Sequence, residues 1–597
     1  MSRPDHHQSP AIAVGLLAVT ILLFVLYRIA LPKPLAGIPY NVSSSRKLFG
    51  DVPGMLSHIA NEDGTFITYL EQTLQRLNAP LVQIFIKPMS QPLLVLGDFP
   101  EARDIMTRRT KEFDRSTSSG DLVRGLGSSH HIHLKTTPAW RAQRRLIQDL
   151  MTPSFLNKVA GPVMHQNASL LIDLWRAKTR IAAGRPFTAS ADIDQVALDA
   201  VLVFAFGERF GEKHSAIRPA LDAVRDMMQQ NSGGGTNGNV SDEPVVFPTG
   251  VTDPVVSASL ELVATVEDVQ GSPLPDLKWW FINSKPRVKR ATKIKEDAIK
   301  REVEDAIRRL NGATGEEFVK SAVDHMVFRE RTLAEKDGRR PDFFSRIMMD
   351  EIFGFIIAGN DTSSTSISWG VKYLADHPSA QTKLRQALES AFASAAREGR
   401  SPSIQEITDT HNVAYLDAVI EETLRCSATV PVVDRQATVD TELLGYHIPK
   451  GSVVTCLVTG PSMMSPALEI DEARRSETGR LAKKSEGRDG PRAWDLNGMA
   501  SFQPERWLTT NSKKGGDGSI EFDAAAGPQL AFGLGTRQCY GKRLALLEMR
   551  ILITLIVWNF ELLPCPPALS GDKPILIMTN RPKDCYVRLR EVKRGKN

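Results

Sequence analysis

The residues with the most chemical promise lie in Phe532-Gly-Leu-Gly-Thr-Arg-Gln-Cys-Tyr-Gly541, directly ahead of the helix-prone run KRLALLEMRILITLIVW. Glycines and an arginine bracket a single cysteine, and a helix begins just beyond it. A thiolate is stabilised by a helix N-terminus, by nearby N–H groups and by positive charge. Glycine permits positive φ and close backbone approach to a flat group. A thiolate placed this way can be the axial ligand that pushes electron density onto haem iron and favours O–O cleavage. Two plainer readings compete. Gly533-x-Gly535 could open a nucleotide loop, but position 538 is Gln, so GxGxxG fails, and no GK[ST] occurs. Cys539 could also be a small buried residue, as most lone cysteines are.

A second group is Ala358-Gly-Asn-Asp-Thr-Ser363, which interrupts the apolar run Ile352 to Ile357. A mid-helix glycine costs about 1 kcal/mol relative to alanine, so a gain elsewhere should offset it. Thr362 could instead simply bond back to the carbonyl four residues earlier. Glu422-Thr-Leu-Arg425 places an acid and a base on one helix face, which on its own is commonplace, because such surface pairs are weak. Phe502-Gln-Pro-Glu-Arg506-Trp, Trp140-Arg-Ala-Gln-Arg144 and Pro431-Val-Val-Asp-Arg435 add further cations beside aromatic or proline residues. His130, His131 and His133 look like a metal cluster, but no carboxylate partner pattern follows them, and a ligand set needs more than proximity in sequence.

Taken together these segments resemble the cytochrome P-450 monooxygenases. Phe532, Gly535, Arg537, Cys539 and Gly541 match the FxxGxRxCxG haem loop. The resemblance implies that Cys539 is the proximal ligand of haem b (iron protoporphyrin IX), that Arg537 binds a propionate and that Phe532 shields the sulfur. It makes 358–363 the AGxDT segment, with Thr362 beside the dioxygen being activated and Asp361 relaying protons, which is general-acid work. It makes Glu422, Arg425 and Arg506 a buried structural cluster of the ExxR and PERW elements, and Trp140, Arg144 and Arg435 propionate partners. An ordinary exposed arginine remains the alternative for Arg435. The histidines fall in a loop that such enzymes use near the substrate entrance.

Those residues need elements to hold them. Leu81 to Lys87 and Pro92 to Leu96 read as strands, with a helix from about Pro100 to Arg109. A mainly helical stretch runs from Pro138 to about Ala264. Later in the chain come long helical segments and only short strands, after Val439, Ser452 and Pro574. The expected class is therefore mainly α with a minor β part, and the resemblance implies the P-450 fold. Lys285 to Arg309 holds ten Lys or Arg and five acids, which suits a solvated helix face. Two polar insertions, at about 229–245 and 465–492, read as surface loops.

The chain has 597 residues, 42% hydrophobic and 24% charged, proportions that exclude fibrous, low-complexity and wholly disordered classes. Seventy-four basic against 69 acidic residues is too thin an excess for a nucleic-acid binder. Five cysteines without CxxC pairs make neither a disulfide framework nor a zinc site. The uncharged run Ala11 to Tyr27, extended by Ile29 to Leu31, reads as an uncleaved transmembrane anchor over 11–31. A Pro-rich hinge follows at 32–45, ahead of a haem-thiolate body over 46–597. Arg28, Lys33, Arg46 and Lys47 follow the span, so residues 1–10 fall on the lumenal side and the body in the cytoplasm.

The expected activity is insertion of one oxygen atom from O2 into an apolar organic substrate. No flavin or nicotinamide fingerprint occurs, so electrons should come from NADPH through a separate flavoprotein reductase, docked near Arg141, Arg145, Lys542 and Arg543. The anchor type suggests a single-pass protein of the endoplasmic reticulum, and the form is similar to fungal members that tailor secondary metabolites. Two other readings stay open: a haem-thiolate isomerase or dehydratase of an oxidised lipid, and a non-catalytic haem-binding membrane protein. Expected pocket walls are the loop from Ser116 to Thr136, Ala358, Thr362, Val430 to Val433, and Ile575 to Met578.

Overall fold

The computed structural model describes residues 10–61, 64–230, 242–272, 274–312, 317–409, 413–486, 491–510 and 519–594. Long helices dominate and the strands are short, as the sequence pattern requires. The chain divides into two compact units. The first takes Met1–Asp114, Asp434–Ser462 and Ala467–Ser485; the second takes Arg115–Val433, Met463–Pro466 and Glu486–Asn597.

The first unit is built on a five-stranded sheet in the order Leu81–Ile84, Leu93–Leu96, Val453–Leu457, Val432–Ala437, Phe113–Arg115. Leu81–Ile84 and Leu93–Leu96 run antiparallel, whereas Leu93–Leu96 pairs in parallel with Val453–Leu457. Burial on both faces explains the near-continuous apolar residues of these strands. Gln83 is the exception, and it has a use. Its side chain bonds Leu35 N at 2.8 Å, Leu35 O at 2.9 Å and Ile38 O at 2.8 Å. The Pro-rich stretch is thereby tied down to the sheet.

Ahead of it a helix forms over Pro10–Ala30, 21 residues with Arg28 in its last turn. Among the described residues no helix is long and apolar enough to cross a membrane. The expected anchor thus appears as a helix with exposed apolar side chains from Val14 onward, and not as a demonstrated span. Residues 1–9 lie outside the described part.

The 465–492 segment departs from the expected surface loop. It carries a 3-10 turn, Glu472–Arg474, and a helix, Glu477–Glu486. Arg475 holds Asp98 through two bonds of 2.6 and 3.0 Å, while Ser476 and Thr478 each donate to Asp104 at 2.7 Å. Asp98, Glu101 and Asp104 are buried, and buried carboxylates require donors and counter-charge. The insertion provides them. Of the 229–245 segment, Gln229 and Gln230 end the helix Arg218–Gln230, and 231–241 lies outside the described residues.

The second unit holds the site. Its axis is a 31-residue helix, Arg346–Asp376, capped by Ser345, whose side chain accepts the Met348 N–H. Ser190–Phe206, Ala414–Ser427 and Lys542–Asn559 pack against it. Most residues of the long helix are buried on every side, which is why its sequence lacks a clean polar stripe. Gly359, the helix-weakening residue, lies against Ser190–Phe206. A Cβ there would come within 2.6 Å of Val201 Cγ2. Close helix packing is the gain that offsets the lost propensity.

Candidate functional site

The cysteine loop is closed by the Cys539 N–H, which donates to Phe532 O at 2.7 Å, and the helix Lys542–Asn559 begins two residues beyond Tyr540. Gly533 and Gly535 have φ of +61° and +73°, a region that other L-residues enter only at a cost. The Cys539 side chain is exposed. Although a face of it is open, the protein packed around it desolvates the thiol and pushes its pKa up, while the Gly541 and Lys542 N–H groups and the charges of Arg115 and Arg144 pull it down. These are the donors and charges a thiolate ligand needs.

Thr137 caps the helix Pro138–Ile147, on which Trp140 and Arg144 stand one turn apart. The Arg537 guanidinium lies 4.5 Å from the Trp140 ring centroid, and Arg144 lies 5.7 Å from it and 4.0 Å from that of Tyr540. The Tyr540 hydroxyl donates to Ile147 O. Trp140 is buried, yet its Nε1–H has no partner. An orphaned donor beside two guanidinium groups, facing a loop of glycines and one sulfur, fits a flat, dianionic macrocycle with a thiolate-seeking metal. The donor set therefore suits haem. Arg435 belongs to the first unit, where it is buried; burial lowers its pKa, with Cys456, Asp114 and Asp434 nearby.

On the long helix, Thr362 Oγ1 donates to Ala358 O at 2.8 Å, the back-bond expected of a mid-helix threonine. Asp361 has partners that the sequence did not signal. Thr579 Oγ1 donates to its Oδ2 at 2.7 Å, and Arg581 stands 3.8 Å from Oδ1 while holding Asp194 at 2.9 Å. Burial pushes the Asp361 carboxyl up, and Thr579 and Arg581 pull it back. A further acid was missed altogether. Glu548, on Lys542–Asn559, is buried, and burial pushes its pKa up to about 8 against a bond with Ser363. Its sequence signal was an acid inside an apolar helical run, LALLEMRILITL.

Glu422, Arg425 and Arg506 come together completely. Glu422 Oε1 accepts from Arg425 at 2.8 Å, Arg506 at 3.0 Å and the Gln503 N–H at 2.8 Å. Its Oε2 accepts from Arg425 at 2.8 Å and from Trp507 Nε1 at 2.9 Å. Arg425 spends its remaining donors on the carbonyls of Met463, Met499 and Ser501. Trp507 and Gln503 were not foreseen, because their partners come from about 80 residues away.

The histidines do find a carboxylate. His131 Nδ1 lies 2.7 Å, and His130 Nε2 3.5 Å, from Glu351 Oε2, a carboxylate that no pattern following the histidines in sequence announced. Among the described residues these three side chains form the one cluster close enough to hold a metal ion. His130 Nδ1 accepts the Ile132 N–H at 3.2 Å, which leaves the ring proton on Nε2, facing Glu351. Burial, together with the positive charges of Arg144, Arg537 and Arg115, lowers the His131 pKa to about 3. The same charges repel a cation. The cluster is a hydrogen-bonded one.

Comparison with known proteins agrees with this layout. A profile described as Cytochrome P450 matches residues 68–237, 251–463 and 500–586, leaving out the 465–492 insertion and the latter part of the first. The chain is 40% identical over 590 residues to "Cytochrome P450 monooxygenase TRI13" of Fusarium sporotrichioides, covering 97% of this chain and 99% of that one. It is 35% identical over 595 residues to "Cytochrome P450 monooxygenase xilC" of Penicillium rubens, covering 99% and 98%. A crystal structure of a cytochrome P450DA heme domain superposes with TM-score 0.62 at 18% identity, over 95% of this chain and all of that one, which speaks for the fold. With the profile matching most of its length and two relatives aligned nearly end to end, the chain belongs to the cytochrome P450 family and is a haem-dependent monooxygenase.

Proposed function

We propose that Cys539 ligates the haem iron, that Trp140, Arg144 and Arg537 hold the propionates, and that Thr362 and Asp361 deliver protons during oxygen insertion into an apolar substrate. The observation that carries this reading is the Cys539 sulfur, exposed in a glycine loop and facing the N–H groups of Gly541 and Lys542. Haem bound there supplies the redox-active metal at which dioxygen is reduced and cleaved. The protein's own groups do the rest. Phe532, whose carbonyl accepts the Cys539 N–H, and Gly535, at positive φ, would shape the loop that carries the sulfur. The Thr362 hydroxyl, held on the Ala358 carbonyl, can rotate to donate toward the reacting oxygen. Asp361, raised by burial and fed by Thr579, replaces the proton that Thr362 gives up. Glu422, Arg425 and Arg506 are structural.

Electrons come from NADPH through a separate flavoprotein reductase, with Arg141, Arg145 and Arg543 exposed to meet it. Residues 11–31 anchor the chain in the endoplasmic reticulum membrane with the body, 46–597, in the cytoplasm. Exposed Leu274, Leu277, Trp280 and Phe281 beside Lys278 and Lys285 support contact with lipid. The two fungal relatives support a tailoring step in secondary-metabolite formation. The loop 116–136 and the apolar residues around Ala358, Val430 and Ile575 suit an apolar guest.

The test is the reduced, carbon-monoxide-bound holoenzyme, which should give the red-shifted Soret band of a thiolate ligand. Label from isotopic O2 should then appear in product only with reductase and NADPH present. Asp361→Asn should lower kcat by about a hundredfold while leaving that spectrum intact. An unshifted Soret band in haem-loaded protein would overturn the reading.

A further inference from the structure

The segment Ser129 to His133 is fastened to the first half of the long helix Arg346–Asp376 by two successive carboxylates. Asp350 Oδ2 accepts the Ser129 N–H at 2.9 Å. Glu351 engages His131 twice: Oε1 accepts its backbone N–H at 2.7 Å, and Oε2 accepts from its ring Nδ1 at 2.7 Å. His130 Nε2 stands 3.5 Å from the same oxygen. One turn further on, Gly354 leaves room for the His130 ring, since a Cβ there would come within 2.3 Å of Nε2. Both carboxylates are sequestered, with side chains 1% and 0% exposed. One stretch of helix thus presents two acceptors and a gap to one short piece of chain.

The rest of the loop is built to match. Its ends are joined at the base, where Lys135 Nζ donates to Arg115 O at 2.5 Å. Its earlier half is braced by Trp279 Nε1 on Asp121 O and Asn283 on Gly125 O. Glu351 lies eleven residues before Thr362, about 16 Å up the helix, and Gly354 about 12 Å. That places the attachment beside the working part of the helix without touching it.

We propose that Glu351, with Asp350 and Gly354, forms a clasp that holds the 116–136 loop down on the long helix and so sets how fast bulky molecules reach the reacting centre. Glu351 and Gly354 are positioning residues, and the proposal rests on the reading that the reaction occurs at Thr362. Holding a mobile loop against a rigid helix trades rate of access for a defined pocket. The histidines act as the loop's half of the clasp, which accounts for a cluster that the proposed chemistry leaves without a role.

The test uses the haem-loaded enzyme and three variants: Gly354→Ala, Glu351→Gln and Glu351→Asp. Gly354→Ala favours the helix and changes no charge, so a folding defect is not its expected consequence. Amide hydrogen exchange over 127–134 should quicken in Gly354→Ala and Glu351→Gln. Association of phenylimidazole, a bulky iron ligand, should rise about tenfold, while carbon monoxide binding and haem content stay as in the parent. Glu351→Asp should recover part of the slow exchange. Unchanged exchange and unchanged phenylimidazole association in folded Gly354→Ala would overturn the clasp. So would tight zinc binding by the parent that Glu351→Gln abolishes. Failure of the haem reading is separable: neither ligand would then perturb an iron spectrum in the parent, while the exchange comparison would still report on the loop.

Discussion

The Glu422 cluster and the Cys539 loop lie in the same compact unit, yet they treat polar groups in opposite ways. Around Glu422 every charge is answered within the protein. Both carboxylate oxygens take more than one donor, and Arg425, with a side chain only 1% exposed, is spent on its acid and three carbonyls. Around Cys539 the account stays open. A sulfur is exposed, the Trp140 indole N–H has no partner, and the Arg537 and Arg144 guanidinium groups stack on aromatic rings. A saturated network gains rigidity and loses capacity to bind, whereas unsatisfied donors that persist in a buried wall mark a place for a ligand. The contrast separates a scaffold from a site.

Substitutions can break or sharpen that contrast. The largest effect is expected of Cys539→Ser, which removes the open side's defining atom: oxygen insertion should fall to background and the thiolate-type carbon monoxide spectrum should vanish, even if some haem is retained. Next comes the closed side. Arg425→Ala leaves Glu422 charged, buried and short of donors, at a cost of roughly 3–5 kcal/mol, and haem-loaded protein should fail to accumulate; chemical denaturation of whatever folds measures the deficit. Recovery of normal holoprotein would remove the contrast.

Glu548 tests an intermediate case, a buried acid with one bond to Ser363 and Oε1 unpaired. Its folded pKa, about 8, lies above the ordinary 4.5, so between those values the native state keeps a proton that the unfolded chain has lost. Stability therefore falls as pH rises through that window and is fully present only below it. Glu548→Gln should abolish the slope. Its advantage over the parent should be near zero at pH 4.5 and grow to ~4 kcal/mol by pH 8, read from melting curves across pH. The smallest effect belongs to Trp140→Phe. Losing one unpaired donor should leave the bare fold almost untouched but weaken haem retention by about 1 kcal/mol, measured by haem transfer to a scavenger. A large loss of apoprotein stability would show that Trp140 is scaffold after all.

The parts legible in advance were those set by short-range spacing. Glycines at 533 and 535 were read as positive-φ positions because the chemistry of a loop against a flat group demands it, and both have that conformation. The strands read from periodicity over 81–87 and 92–96 form over the shorter ranges Leu81–Ile84 and Leu93–Leu96, and the long helix, which the family resemblance implied, runs over Arg346–Asp376. What escaped were partners far along the chain. Thr579 reaches Asp361 from 218 residues away, and Glu351 meets His131 from 220. The 465–492 segment was misjudged for the same reason: a polar composition signals solvent until buried acids such as Asp98 and Asp104 are seen to claim its donors.

By itself the sequence determined which side chains are candidates for the chemistry, because a cysteine before a helix, an acid and an alcohol side by side, and an i,i+3 ion pair are fixed by bond geometry over a few residues. Only the tertiary structure decided which of those groups end up satisfied and which remain available. A hydrogen bond depends on distance in space, and the donors that close the Glu422 cluster, or leave Trp140 wanting, are brought there by helices packing from remote parts of the chain.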